Sequence, residues 1–171
     1  MTETEVRDLL ARPDKTILRT FQWGTEEGRA KGERFSFESS VQVGEELPFS
    51  VRFIAKYRAS KKIIKGSAQV LLPEKFDAGI LCSSHRVSAL DTNPGTPHTN
   101  DVGLGLPYHK QTLWCDTHRH IWVGMYGYAE PVEPPIMDVV ELIHRFLSDY
   151  NLKLYGEVKH PLLHQTGDLF K

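Results

Sequence analysis

The spacing of apolar positions changes along the chain, and each change marks an element. Val6, Leu9 and Leu10 recur at i, i+3 and i+4 among the acids of residues 3 to 12, a helical spacing that Pro13 stops. This predicts a short peripheral helix. Thr25 to Glu33, rich in glycine and charge, reads as a loop. Beyond it the period becomes two. Phe35, Phe37, Ser39, Val41 and Val43 alternate with polar partners, and Gly44 with two acids makes a turn. Phe49, Val51, Phe53, Ala55 and Tyr57 lie on one face of the next run, opposite Ser50, Arg52 and Lys56. Residues 59 to 62 then turn the chain into a third run, Ile63 to Leu72. These read as a meander of antiparallel strands. Pro73 to Gly79 reads as a break, Ile80 to Leu90 as a further strand, and Asp91 to Pro97 as a loop of turn formers. Gly103, Gly105 and Pro107 keep residues 101 to 112 a loop.

Strand alternation returns between Trp114 and Met125. It puts His118, His120 and Trp122 on one face, and Thr117, Arg119, Ile121, Val123 and Met125 on the other. The second set is the expected core face, so the two imidazoles look away from the main core. The strongest helix follows: Asp138 caps it with Glu141 three positions on, and Val139, Leu142, Ile143, Phe146 and Leu147 form a stripe that ends near Asn151. Leu152, Leu154 and Val158 suggest an edge strand. The expectation is an α+β fold, a twisted, mostly antiparallel sheet with one main helix packed on one face. Residues 1–171 form a single domain with a peripheral segment 1–32 and a loosely attached tail 159–171, in which Pro161 and Gly167 fall.

Composition narrows the class. A hydrophobic share of 40% and a charged share of 25% are ordinary for a globular domain, and no long apolar run predicts a membrane span. The acidic start, Met1 to Glu5, does not resemble a secretory signal. Cys82 and Cys115 are too few for a disulfide framework, which predicts a cytoplasmic protein with inert thiols. A net charge of −1 excludes a histone-like grip on polyanions. Cations are nonetheless concentrated: Arg52, Lys56, Arg58, Lys61, Lys62 and Lys65 occur with no acid between them. They read either as a solvated edge hairpin whose lysines deter strand pairing or as a phosphate-facing patch in which Lys56, Arg58, Lys61 and Lys62 bind substrate.

Five of the eight histidines fall between His85 and His120, and histidine is the side chain most easily tuned to exchange a proton near neutral pH. A loop bearing His98 and Asn100 can fold over the strand bearing His118 and His120, with Arg86 brought in by a neighbouring strand. These are the parts needed to cleave RNA without metal. One imidazole takes the proton of a ribose 2′-hydroxyl, another protonates the leaving oxygen, and the guanidinium stabilises the charge between them. Trp122, on the histidine face, is the best candidate to stack on a base, ahead of Trp114, Tyr108 and Tyr126, although the large apolar area of such residues more often fills a core or covers a sheet. Alternatively His98, His118 and His120 hold a divalent cation such as zinc or manganese, oriented by Asp91 or Asp101 and with one position open. His85 and His109 read as loop support, and Glu130 as an ordinary strand-end carboxylate or, less readily, an extra acid–base group. His144, His160 and His164 are given no role.

The order His85-Arg86-Val87-Ser88, Pro97-His98-Thr99-Asn100, Thr117-His118-Arg119-His120-Ile121-Trp122, Tyr128-Ala129-Glu130-Pro131 resembles a group of small uncharacterised prokaryotic proteins found among mobile-element and defence-type genes. The similarity spans roughly residues 84 to 150 and implies a shared site. The leading expectation is therefore a metal-independent ribonuclease or related phosphodiesterase of toxin or defence type, acting on RNA or a nucleotide. One alternative is a metal-dependent hydrolase. The other is a non-catalytic phage or mobile-element protein that binds a nucleotide or blocks a host complex. The expected protein partner is an antitoxin or a host complex.

Overall fold

Alternating apolar residues in two long strands, β3 (Arg34–Val43) and β4 (Val51–Arg58), form the middle of a nine-stranded sheet. A computed structural model describes residues 1–26, 33–45 and 50–164. The other strands of that sheet are β1 (Lys15–Ile17), β2 (Gly24–Glu26), β7 (Lys75–Cys82), β8 (His85–Thr92), β11 (Thr117–Ile121), β12 (Tyr128–Pro131) and β13 (Leu152–Lys153). Their order is β12-β11-β8-β7-β4-β3-β1-β13, with β2 also on β3. Every pairing is antiparallel except β1 with β13. Two ribbons stand apart from it: β5 (Lys61–Lys65) with β6 (Ala68–Leu72), and β9 (His98–Thr99) with β10 (Thr112–Leu113). The chain is thus α+β as expected, with an open sheet and, among the described residues, two α-helices, α1 (Glu3–Ala11) and the principal one, α2 (Val139–Asp149).

Residues directly opposite in an antiparallel pair point to the same side, so the register sorts the sheet into two faces. Phe37, Ala55, Ala78 and Leu90 stand in one row, and Phe53, Ile80 and Ser88 in the next. This is the apolar face. It is closed by Val139, Leu142, Ile143, Phe146 and Leu147 of α2, with the Phe53 and Phe146 rings 6.0 Å apart. Asp138 caps α2 by accepting from the Val140 and Glu141 amides. The opposite, open face carries Lys56, Asp77, Asp91 and His118 in one row, and Ile54, Gly79, Ala89 and His120 in the next.

The N-terminal segment is less peripheral than expected. Val6 and Leu9 of α1 join the main core, and β1 is a strand of the sheet. Thr2 and Glu5 form a reciprocal capping box at the start of α1. At the other end the wholly buried Lys15 ammonium donates to the Leu10 and Arg12 carbonyls, and to that of Leu9, which also accepts from the Arg12 amide. Burial pushes this ammonium down to about 8.

Several expectations along the chain are corrected. Pro73 to Gly79 is no break. From Lys75 onward it is strand, with Phe76, Ala78 and Ile80 buried and Lys75, Asp77 and Gly79 on the open face. Pro73 and Gly79 masked that alternation. The run Ile80 to Leu90 is two strands parted by a turn in which Ser83 takes φ 54°. Ile63 to Leu72 is likewise two strands, because Gly66, at φ 61°, reverses the chain into the β5–β6 ribbon. Thr25 and Glu26 belong to β2, while the rest of the expected loop through residue 32 lies outside the described residues. So do Glu46 and Phe49 of the expected turn and strand, and the tail beyond residue 164 with Gly167. Among the described residues, no helix is long and apolar enough to cross a membrane.

Replacing Lys15 with Met removes the ammonium that the Leu10 and Arg12 carbonyls share at the end of α1, while Leu9 keeps the Arg12 amide. At about 1–3 kcal/mol for unsatisfied buried polar groups, the variant is expected to show a lower denaturant midpoint at unchanged m-value. An unchanged midpoint would remove Lys15 from the account of α1.

Candidate functional site

Asp91 is the centre of a cluster on the open face. It lies directly across from His118 in the β8–β11 pairing, with His120 two residues further along the same strand. Its Oδ1 is 3.5 Å from His118 Nδ1 and its Oδ2 is 3.3 Å from His120 Nε2. Burial works to raise this carboxyl, but the two imidazoles overcome it and hold Asp91 well below the usual carboxylate range. The carboxylate thus faces one ring nitrogen of each imidazole, Nδ1 of His118 and Nε2 of His120. His118 is 1% exposed and His120 5%, so both stand behind the surface.

His98 is the front member. Its ring centroid lies 5.0 Å from that of His120 at 89°, and 5.6 Å from that of His118 at 67°. The hydrogen-bond network settles its tautomer. The Ala129 amide donates to Asn100 Oδ1 at 2.7 Å, while Asn100 Nδ2 donates to the Ala129 carbonyl at 2.8 Å and the Tyr108 carbonyl at 3.1 Å. The amide oxygen of Asn100 is therefore fixed as an acceptor. His98 Nε2 lies 3.1 Å from that oxygen and 3.0 Å from the Gly127 carbonyl, so it must donate. Nδ1 of the partly buried His98 ring is left as the proton-accepting nitrogen.

Asn100 itself is wholly buried with its side chain saturated. By pairing with both polar groups of Ala129 it takes the place of a neighbouring strand at the outer edge of β12, and so fastens the loop that carries His98. It is a positioning residue. Gly103, at φ 87°, completes the fit, because a Cβ there would come 2.4 Å from the Tyr128 ring.

Arg86 reaches the cluster by an irregularity. The β7–β8 register shifts between Ile80 and Leu81, leaving Val87 as the extra residue and setting Arg86 across from Leu81 on the open face. The side chain then lies over Gly79, where a Cβ would come 2.9 Å from Arg86 Nε, and pairs with Asp77 at 3.0 Å. Burial works against its charge, yet Asp77, Tyr126 and Asp91 raise its pKa. Tyr126 links it to the imidazoles: its ring stacks on His120 at 4.9 Å, and the Arg86 guanidinium lies 5.9 Å from the Tyr126 ring centroid. Burial pushes the Tyr126 phenol up despite that cation. Beside this edge lies a cavity of about 400 Å³ lined by Arg86, Trp122, Met125 and Tyr126, among others.

Of the residues expected at the site, Arg86, His98, Asn100, His118 and His120 come together. Trp122 does not stay on the histidine face. It turns into the main core at 9% exposure, edge-on to His85, once β11 has ended at Ile121. The expected core face of β11 also differs: Met125 is exposed and Arg119 pairs with Asp149 of α2. The basic run divides. Lys56 and Arg58 lie on the open face, Arg52 pairs with Glu38, and Lys61 and Lys62 belong to the separate β5–β6 ribbon. Asp101 pairs with the exposed Lys110, leaving Asp91 as the orienting acid. Asp77, Tyr126 and Gly127 were not expected in these roles. The alternation of 75 to 80 was the only signal for Asp77.

Buried polar atoms of the cluster lack partners: both ring nitrogens of His118, Nδ1 of His120 and Oδ1 of Asp91. Among the described residues, however, no group of three His, Cys, Asp or Glu side chains is arranged to hold a metal ion. Burial raises both cysteine thiols, which disfavours the thiolate form at Cys82 and Cys115.

Asp91→Asn is expected to lower stability near neutral pH. Because the folded pKa of Asp91 is depressed, its contribution is fully present above the unfolded value of about 3.9 and is lost as pH falls below it. The stability gap between wild type and variant, followed by denaturant titration, should narrow under acid. A gap independent of pH would contradict the charge assignment. Asn100→Ala should cost about 1–3 kcal/mol for the buried groups it strands, measurable as a lower unfolding midpoint.

Comparison with family models, with curated proteins and with solved structures finds no match. The functional reading accordingly rests on the cluster itself.

Proposed function

We propose that the chain is a metal-independent ribonuclease or related phosphodiesterase of toxin or defence type, acting through the His98–His120–His118–Asp91 cluster. The observation that supports it is the convergence of three imidazoles, two of them against one carboxylate, on the same sheet face that presents Arg86, Lys56 and Arg58. His98 Nδ1 accepts the proton of the ribose 2′-hydroxyl, and O2′ attacks phosphorus. The P–O5′ bond breaks, and the leaving oxygen takes its proton from an imidazolium held against Asp91, His120 being nearest to His98. The products are a 2′,3′-cyclic phosphate and a free 5′-hydroxyl. Asp91 orients and stabilises the imidazolium without itself being protonated. Arg86, at the rim, offsets charge developing on the phosphoryl oxygens. The cavity beside Tyr126 offers room for a base. Two free cysteines accord with a cytoplasmic location.

A second reading, a three-histidine metal hydrolase, is favoured by the unpartnered nitrogens of His118 and His120 and opposed by the absence of a ready ligand arrangement among the described residues. The test uses protein purified without a histidine tag. In the presence of chelator it should cleave RNA to cyclic-phosphate ends and spare the same oligonucleotide with a 2′-deoxyribose at the cleaved position. His98→Ala and His120→Ala should each slow cleavage by about 10²–10⁴-fold. Stoichiometric metal, with activity lost on chelation, would replace this reading by the second. Intact RNA after incubation with folded protein would leave a non-catalytic binder of a nucleotide or host complex.

A further inference from the structure

The open face carries a second concentration of charge that the cluster does not use. Arg34, Arg58 and Lys75 are directly opposite one another on β3, β4 and β7, and Lys56 stands in the next row, across from Asp77. Like charges set directly across a strand pair oppose folding, so such a row needs a reason. Among the described residues no ion pair involves any of the four, and Asp77 turns to Arg86 instead of Lys56. What holds them is weaker: Arg58 donates to the Pro73 carbonyl and Lys75 to Asn93 Oδ1, while Lys56 is exposed. The row borders a groove of about 200 Å³ lined by all four cations together with Asp77.

Position gives the groove its meaning. Strands lie about 4.8 Å apart, so the cations on β7, β4 and β3 stand roughly 10 to 20 Å from the histidine strand β11, along a line crossing β8. Asp77 belongs to both places, since it lines the groove and anchors Arg86 at the cluster. A ligand reaching both must be extended and carry regularly repeated negative charge. We infer that the Arg34–Arg58–Lys75–Lys56 groove is a phosphate subsite for one strand of RNA whose scissile phosphodiester lies at the histidine cluster. The inference rests on the phosphodiesterase reading and adds to it a substrate class, a single-stranded polynucleotide in place of a mononucleotide. It also keeps Lys56 and Arg58 of the expected patch and puts Arg34 and Lys75 in the place of Lys61 and Lys62 of the β5–β6 ribbon.

The experiment separates the two ideas by measuring binding apart from cleavage. A single-stranded RNA with 2′-deoxyribose throughout the cleaved region is titrated against wild type and against the Arg34→Gln/Lys75→Gln double variant over a range of salt. The slope of log affinity against log salt should fall by about 0.7 for each phosphate contact removed, and cleavage should favour a longer oligonucleotide over a dinucleotide in wild type more than in the variant. Because the variant relieves like-charge repulsion, its melting temperature should hold or rise, whereas a marked fall would assign the row a structural role and overturn the inference. So would an unchanged salt slope, even if RNA is cleaved, or equal displacement of the RNA by an acidic peptide. RNA binding with the predicted slope but no cleavage in either protein would sustain the subsite and sink the phosphodiesterase reading alone.

Discussion

Burial of one sheet face beneath α2 is the constraint from which the rest follows. Side chains alternate across a strand, so every apolar residue committed to Phe146 and its neighbours sends the next residue to the other side. With only that face sealed by a helix, the open face can carry charge. Lys56, Asp77, Asp91 and His118 thereby fall into one row from strands that are distant in sequence. The polar site is the reverse side of the apolar core.

Polar groups on that face are brought under control by pairing and not by hydration alone. Asp91 retains its charge because two imidazoles outweigh the cost of its burial. Arg86 retains its own because Asp77 does the same. The loop that closes over them is held by Asn100, whose amide satisfies the exposed backbone of the edge strand β12 and fixes which nitrogen of His98 is free. Fold stability and proton chemistry therefore share residues here. Damage to the fastening of the loop displaces the front imidazole.

The legible parts of the sequence were those set by local period. The alternation of Phe35 to Val43 and of Val51 to Tyr57, the stripe and cap of α2, and the placement of His118 and His120 away from the helix-covered core all follow from neighbours within a few residues. Reading failed where a residue answers to something remote. Gly79 looks like a breaker, yet it sits mid-strand because the Arg86 side chain lies across it. Trp122 follows the parity of the histidines in sequence but leaves their face once the strand has ended.

The sequence by itself determined an α+β domain with a covered face and an open one, and supplied histidines, an arginine and an asparagine in the right order to meet. Only the tertiary structure decided that Asp91 and not Asp101 lies among the imidazoles, that Asn100 binds backbone, and that Arg34 and Lys75 join Lys56 and Arg58 in one row. Period is a property of adjacent residues, whereas these choices depend on strand register and on a shift between β7 and β8, which are set by pairing between segments far apart in the chain.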